Sequence, residues 1–444
     1  MADMTIANLF YDARDSENRV GYVPIGPLYV ASALEEAGWE VEFRDYLVDS
    51  SAFTDPLSPA SVCSFLDGAA DIIGIGCASE LLPLTILAVQ ELKRRQPQKT
   101  VILGGIGPAG AAEEILTRFP FVNMVVRGEG EATMVEVMAR LRQGREPESV
   151  AGLAYRRGDR VTTNPDRPRI GSLDKLPFPA YHRVKLKHYS HIGIYSGRGC
   201  PYPCTFCDVA PFWLRRNTGR SVDNLVEEIN LLMQTYKQRT FDIMDDIFVL
   251  DRQRVLDFCE ALKAKNLEVE WACCGRIDLM DEELMARMAD SGCTWIFYGI
   301  ESGSDKVLKK IRKGFSREAA RDIITRSGRY FQVVTSLMWG FPFETLADFY
   351  DTTDFISLLK DQACGVDLYL LAPLPFSPLY EAYGRSLELV PGKCHRLFGT
   401  GNREMLDFIR TYPGVSQWFY RYPTPHFRHK FETVKELGYW RETI

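Results

Sequence analysis

At 444 residues, 46% hydrophobic and 25% charged, the chain is long enough for two or three folded domains and has neither a disordered nor a fibrous composition. A net charge of −6 excludes a protein that reads the nucleic-acid backbone, which would carry a basic excess, and favours a small-molecule or peptide substrate. No apolar run reaches the roughly 18 residues of a membrane span, and the first residues lack the basic and apolar regions of a signal peptide. A cytoplasmic protein is therefore expected, and 11 scattered cysteines, an odd number, suit a reducing compartment.

In chain order, short apolar runs at Thr5–Phe10, Val41–Arg44, Asp71–Gly76, Val101–Leu103 and Met124–Arg127 read as strands. Helical patterns fall between them near Gly26–Ala37, Leu82–Arg95, Ala111–Phe119 and Ala132–Arg142. Such alternation predicts a doubly wound, Rossmann-like parallel sheet over residues 1–150, with ligands bound outside the carboxyl ends of its strands. Residues 151–188 are rich in Gly, Pro and Arg, with a hairpin around Arg157–Asp159 and the run LPFPAY, and are expected to be a linker.

From Tyr189 the alternation resumes on a longer period. Strands are expected at Ile192–Ser196, Phe241–Met244, Glu268–Cys273, Trp295–Gly299, Val333–Trp339 and Asp367–Ala372, with helices such as Val222–Tyr236 and Arg252–Lys265. Six βα units over 189–386 predict a partial (β/α)6 barrel with its chemistry at the strand carboxyl ends. Residues 387–444 form an aromatic-rich C-terminal extension, read as packed against the rest.

The segment Ser196–Val209, SGRGCPYPCTFCDV, puts Cys200, Cys204 and Cys207 in a loop just after the first barrel strand. Three thiolates at C-x3-C-x2-C lack the fourth ligand of a structural zinc site, whereas a four-iron cluster can use three and keep one iron open. Cys259, Cys273, Cys274 and Cys293 read as buried structural thiols.

This triad, after a strand that opens a barrel, resembles the radical S-adenosylmethionine (SAM) superfamily over roughly Tyr189–Ala382. The resemblance implies a [4Fe–4S] cluster on Cys200, Cys204 and Cys207, whose open iron chelates SAM, and an external electron donor of flavodoxin or ferredoxin type. Phe206, before the last cysteine, matches the position that packs on the adenine. Asp245 and Asp246 in FDIMDDIF match the contact to the SAM amino group. Glu301 and Ser302 in GIESGS match the ribose region, and Gly340 in WGFPFET the loop bordering SAM. Arg276, at the end of the third strand, offers a guanidinium fork for the SAM carboxylate. For the aspartates, capping of the next helix is an alternative.

The front domain allows two readings. GIGPAG at Gly105–Gly110 satisfies the dinucleotide pattern G-x-G-x-x-G, but on the fourth strand and with Pro108 where N–H groups would meet pyrophosphate. The succession PIGPLYVASALEEAGWEV, DIIGIGCAS, VILGGIGP and VVRGEGEAT resembles instead the B12-binding domain of cobalamin-associated radical SAM enzymes. All six histidines lie outside this domain, so no imidazole from it can ligate cobalt. Together these resemblances imply a class B methyltransferase: one SAM methylates cobalamin, and a second yields the 5′-deoxyadenosyl radical that activates an unactivated carbon. The alternative is a radical dehydratase, rearrangement or cyclisation enzyme, as in apramycin biosynthesis, with an empty front domain.

Overall fold

The computed structural model describes residues 2–11, 14–362 and 364–440. In the front domain β1 (Met4–Leu9), β2 (Val20–Tyr22), β3 (Val41–Asp45), β4 (Ile72–Cys77), β5 (Thr100–Gly104) and β6 (Met124–Val126) are followed by the hairpin β7 (Leu153–Arg157) and β8 (Arg160–Thr163). All but β2 form one seven-stranded sheet in the order β3-β1-β4-β5-β6-β7-β8. Every side chain of β1 is buried, as expected of a parallel strand covered on both faces. The order reverses between β1 and β4, which places the switch point of the sheet between those two strands.

The hairpin corrects the expected linker boundary. β7 pairs antiparallel with β6 (Val125 opposite Ala154), so the front sheet runs on to Thr163 rather than ending at 150. Leu153, Ala154 and Tyr155 are buried, and that burial gives the segment its reason to join the sheet.

The rest of the chain adds β9 (Tyr189–His191), β10 (Gly193–Ile194), β11 (Gly197–Arg198), β12 (Thr218–Gly219), β13 (Thr240–Ile243), β14 (Glu270–Gly275), β15 (Cys293–Glu301), β16 (Gln332–Trp339) and β17 (Gly365–Leu370). Strands β10-β13-β14-β15-β16-β17 form a six-stranded, wholly parallel sheet, the partial barrel expected. Alternation decides its two faces. Phe241 and Ile243 on β13 are buried towards helices Val222–Tyr236 and Arg252–Ala264, whereas Asp242 and Met244 face the interior. Ser221 and Asp251 cap those two helices with their own side chains, which frees Asp245 and Asp246 from capping.

Contacts of several kinds join the halves. β2 pairs parallel with β9, setting Tyr22 beside His191. The C-terminal extension packs on both halves: Phe408 stacks against Phe119 of the front domain at 5.7 Å, and Phe427 against Trp339 of the barrel at 5.5 Å. Positions 441–444 of the expected extension lie outside the described residues. No helix among the described residues is long and apolar enough to cross a membrane.

Candidate functional site

The cysteine loop leaves β10 and is pinned by backbone bonds on both sides. Thr205 N donates to Ile311 O at 3.1 Å, and Leu379 N to Thr205 O at 2.8 Å. Gly199 has φ 95°, and a Cβ there would lie 2.2 Å from Arg216 O, so only glycine fits before Cys200. Cys204 is buried, Cys200 and Cys207 half-buried, and burial pushes the Cys207 thiol up to about 12. Each thiol lies within electrostatic reach of another. Among the described residues no three potential ligands stand close enough to share a single metal ion.

The two aspartates part company at the end of β13. Asp245 turns to the outer face, where Oδ1 accepts from Ser196 N (2.7 Å) and Gly197 N (2.9 Å), and Oδ2 from the Ser196 hydroxyl. Burial pushes this carboxyl up to about 6, opposed by those donors. Asp246 faces inwards and holds the loop at Gly199 N (2.8 Å). Both therefore clamp the cysteine loop in this structure. An Asn at 245 keeps the backbone bonds and reverses the serine bond, so D245N should retain the fold. D245A leaves two buried N–H groups unpaired and should cost about 2–4 kcal/mol, read by urea unfolding. Equal stability of the two variants would show that the clamp does not matter.

Phe206, Arg276 and Glu301 meet around a residue the sequence did not single out, Lys313. Its ammonium pairs with Glu301 at 2.9 Å and lies 5.8 Å from the Phe206 ring centre, and its carbonyl accepts from Arg276. Glu301 has φ 77°, a strained conformation for glutamate, beside a register shift in β15. The Arg276 guanidinium pairs with Asp278 at 2.6 Å and sits 3.7 Å over Tyr202 of the cysteine loop. Ser302 bonds Thr352 (3.1 Å) and accepts from Ser304 N, shaping the turn after β15. Gly340 has φ 91° and donates its N–H to Glu344 at 3.0 Å.

Between the domains lies a cavity of about 480 Å³. Its front-domain wall is built from the carboxyl ends of β1, β4, β5 and β6 and includes Gly76, Gly104, Gly105 and Gly128, where the backbone itself forms the surface. A Cβ on Gly105 (φ 95°) would approach Cys77 O at 3.2 Å. The opposite wall comes from the barrel and from residues flanking the cysteine triad: Tyr195, Arg198, Phe212, Trp213, Met244 and Asp246. Among the described residues no histidine lines it.

Beside β13 stands a half-exposed polar pair that the spacing did not announce. His191 Nδ1 bonds Asp242 at 2.8 Å, and Tyr22 stacks on the imidazole at 4.7 Å. The bond to Asp242 raises the His191 pKa above its ordinary 6.5. A raised folded-state value means stability fully present below pH 6.5 and lost as pH rises through the folded value. Imidazole NMR of the wild type should show His191 titrating above 6.5, and D242N should return it towards 6.5. An unchanged titration in D242N would exclude this pairing in solution.

The sequence profile of the radical SAM superfamily matches residues 194–356, and that of the B12 binding domain matches residues 20–138. An uncharacterized methyltransferase of Pyrococcus horikoshii is 29% identical over 365 residues, covering 81% of this chain and 78% of that protein. Among solved structures, the radical SAM methyltransferase TsrM from Kitasatospora setae, with cobalamin and a [4Fe–4S] cluster bound, superposes with TM-score 0.73 at 15% identity. That likeness covers 96% of this chain and 84% of TsrM. The cobalamin-dependent radical enzyme OxsB, with aqua-cobalamin and SAM bound, also gives 0.73, at 17% identity over 98% of this chain and 66% of OxsB. At these identities the structural likenesses speak to the fold.

Proposed function

We propose that this chain, a radical SAM enzyme with an N-terminal B12-binding domain, methylates an unactivated carbon of a small-molecule or peptide substrate with cobalamin as a cofactor. One observation carries the reading: a single cavity has the B12-type strand ends as one wall and, as the other, barrel residues with Gly197, Arg198, Val209, Phe212 and Trp213, which flank the cysteine triad on both sides. The residues present fit both cofactors. Glycine backbone at the switch point leaves room for a large flat ligand, and three cysteines on one loop, each within electrostatic reach of another, offer the three thiolates that a four-iron cluster with one open iron takes. Cys200, Cys204 and Cys207 would hold the cluster, and the Gly76, Gly104, Gly105 and Gly128 backbone the corrinoid. The [4Fe–4S] cluster supplies the electron that cleaves SAM to a 5′-deoxyadenosyl radical, and cobalamin supplies the methyl-carrying centre.

The protein's own work is positioning. Asp245 and Asp246 fix the loop that presents the thiolates, through its N–H groups. Phe206, held beside Lys313, offers a face for adenine, and the Glu301–Lys313 pair and Ser302 set the turn at the ribose position. Arg276 pairs with Asp278 and lies over Tyr202, which braces the cysteine loop and keeps the guanidinium beside it for the SAM carboxylate. A cytoplasmic setting and reduction by a flavodoxin or ferredoxin type donor complete the reading.

Anaerobic protein reconstituted with iron, sulfide and hydroxocobalamin should bind one corrinoid per chain. With CD3-labelled SAM and the substrate, it should deliver the labelled methyl to the product with release of 5′-deoxyadenosine. Release of 5′-deoxyadenosine by protein that binds no cobalamin would instead support a dehydration, rearrangement or cyclisation enzyme.

A further inference from the structure

Arg198 stands two residues before Cys200 and lines the interdomain cavity, yet its side chain belongs electrostatically to the front domain. Its guanidinium forks across two carboxylates there: Nη1 to Glu129 Oε1 at 2.9 Å and Nη2 to Glu131 Oε1 at 2.7 Å. The arginine side chain is 11% exposed, and those of the glutamates 4% and 6%. Its flat face lies 5.1 Å from the Tyr29 ring centre, and Tyr29 also lines the cavity. The second oxygen of Glu129 accepts from Ile170 N at 2.8 Å, and the carbonyl of Arg198 from Arg169 at 3.0 Å. Both carboxylates follow β6 immediately, at a strand end that forms the front-domain wall.

A buried ion pair between domains adds little net stability, because desolvation offsets the attraction. Its value lies in geometry: the fork fixes the distance between the turn after β6 and the start of the cysteine loop. A ligand that orders the turn must therefore order the loop, and the reverse holds by linkage. Elsewhere the same loop is held by barrel atoms, through Asp245, Asp246, Ile311 and Leu379, and at the Arg198 carbonyl by Arg169 of the preceding segment. Arg198 is thus its side-chain connection to the cavity wall of the front domain.

We propose that Arg198 is a positioning residue whose fork to Glu129 and Glu131 couples corrinoid binding in the cavity to SAM binding at the cysteine loop. The inference rests on the reading of the cavity as a cobalamin site. Arginine is required because two carboxylates are bridged by a rigid planar group, which a lysine ammonium on a flexible stem does not reproduce.

The test uses the full chain with its reconstituted cluster. Equilibrium dialysis of radiolabelled SAM is run with and without saturating hydroxocobalamin, so that no turnover is needed. In the wild type, hydroxocobalamin should tighten SAM binding about fivefold or more, the lower end of ordinary coupling. In E129Q/E131Q the ratio should fall to within about twofold of unity, with iron content unchanged. R198K, which keeps the charge and loses the fork, should lose the coupling equally, and decides the matter if the double variant does not fold. A wild-type ratio of unity, or an undiminished ratio in R198K, would overturn the proposal. A wild type that binds no hydroxocobalamin would fail the cobalamin reading instead, which keeps the two failures distinct.

Discussion

Replacing Cys200, Cys204 and Cys207 together with alanine leaves a folded chain that holds no cluster and cleaves no SAM. Folding should survive because the loop is fastened by other atoms. Asp245 and Asp246 hold its N–H groups at 196, 197 and 199, and Thr205 is bonded to Ile311 and Leu379. Among the three, only Cys204 is nearly buried, at 9% exposure, so truncation should cost about 1 kcal/mol per site at most. Loss of activity would then be chemical rather than structural: iron analysis falls to background, the visible absorption of the cluster disappears, and 5′-deoxyadenosine is not formed. Hydroxocobalamin should still bind, because the front-domain wall is untouched. Full iron content in the triple variant would remove these residues from the site.

The strands of both domains were legible because a buried parallel strand must be apolar and bounded, and β1, β4, β13 and β16 are. The hairpin at 153–163 reads as a hairpin within a linker, since Gly and Pro around it mask the buried Leu153–Tyr155 triplet that docks on β6. The division of labour between Asp245 and Asp246 is legible in the strand period. Alternation from Phe241 and Ile243 carries Asp245 to the outer face and Asp246 to the interior. Lys313 sits in KKIRKGF, a run of surface-like charge, and nothing local reveals that it is the one turned inwards to Glu301. Arg198 with Glu129 and Glu131, and His191 with Asp242, join residues 69, 67 and 51 positions apart. Such pairs depend on how the domains and strands meet, which periodicity does not encode.

The largest stability loss should come from the far end of the chain, at Lys430. Its ammonium and the Glu344 carboxylate are both fully buried and 2.8 Å apart; the ammonium also bonds the Glu344 carbonyl at 2.9 Å and Thr424 at 3.2 Å. The same carboxylate oxygen accepts from Gly340 N, so the C-terminal helix Phe427–Glu436 reaches the turn after β16 through one ion pair. K430M strands a buried carboxylate and should cost about 3–5 kcal/mol in urea unfolding at pH 8. Burial already raises the Glu344 pKa, and loss of the cation raises it further. A carboxyl with a raised folded-state value is stabilising when protonated, so the K430M deficit should shrink as pH falls towards 5.5. E344L/K430M replaces the pair with apolar volume and should recover most of the stability. On the proposal that the Gly340 turn borders SAM, it should not recover SAM binding, because Gly340 N has then lost its acceptor and that turn is no longer held. SAM affinity equal to wild type in that stable double variant would reduce the ion pair to a packing element and detach the C-terminal helix from the site.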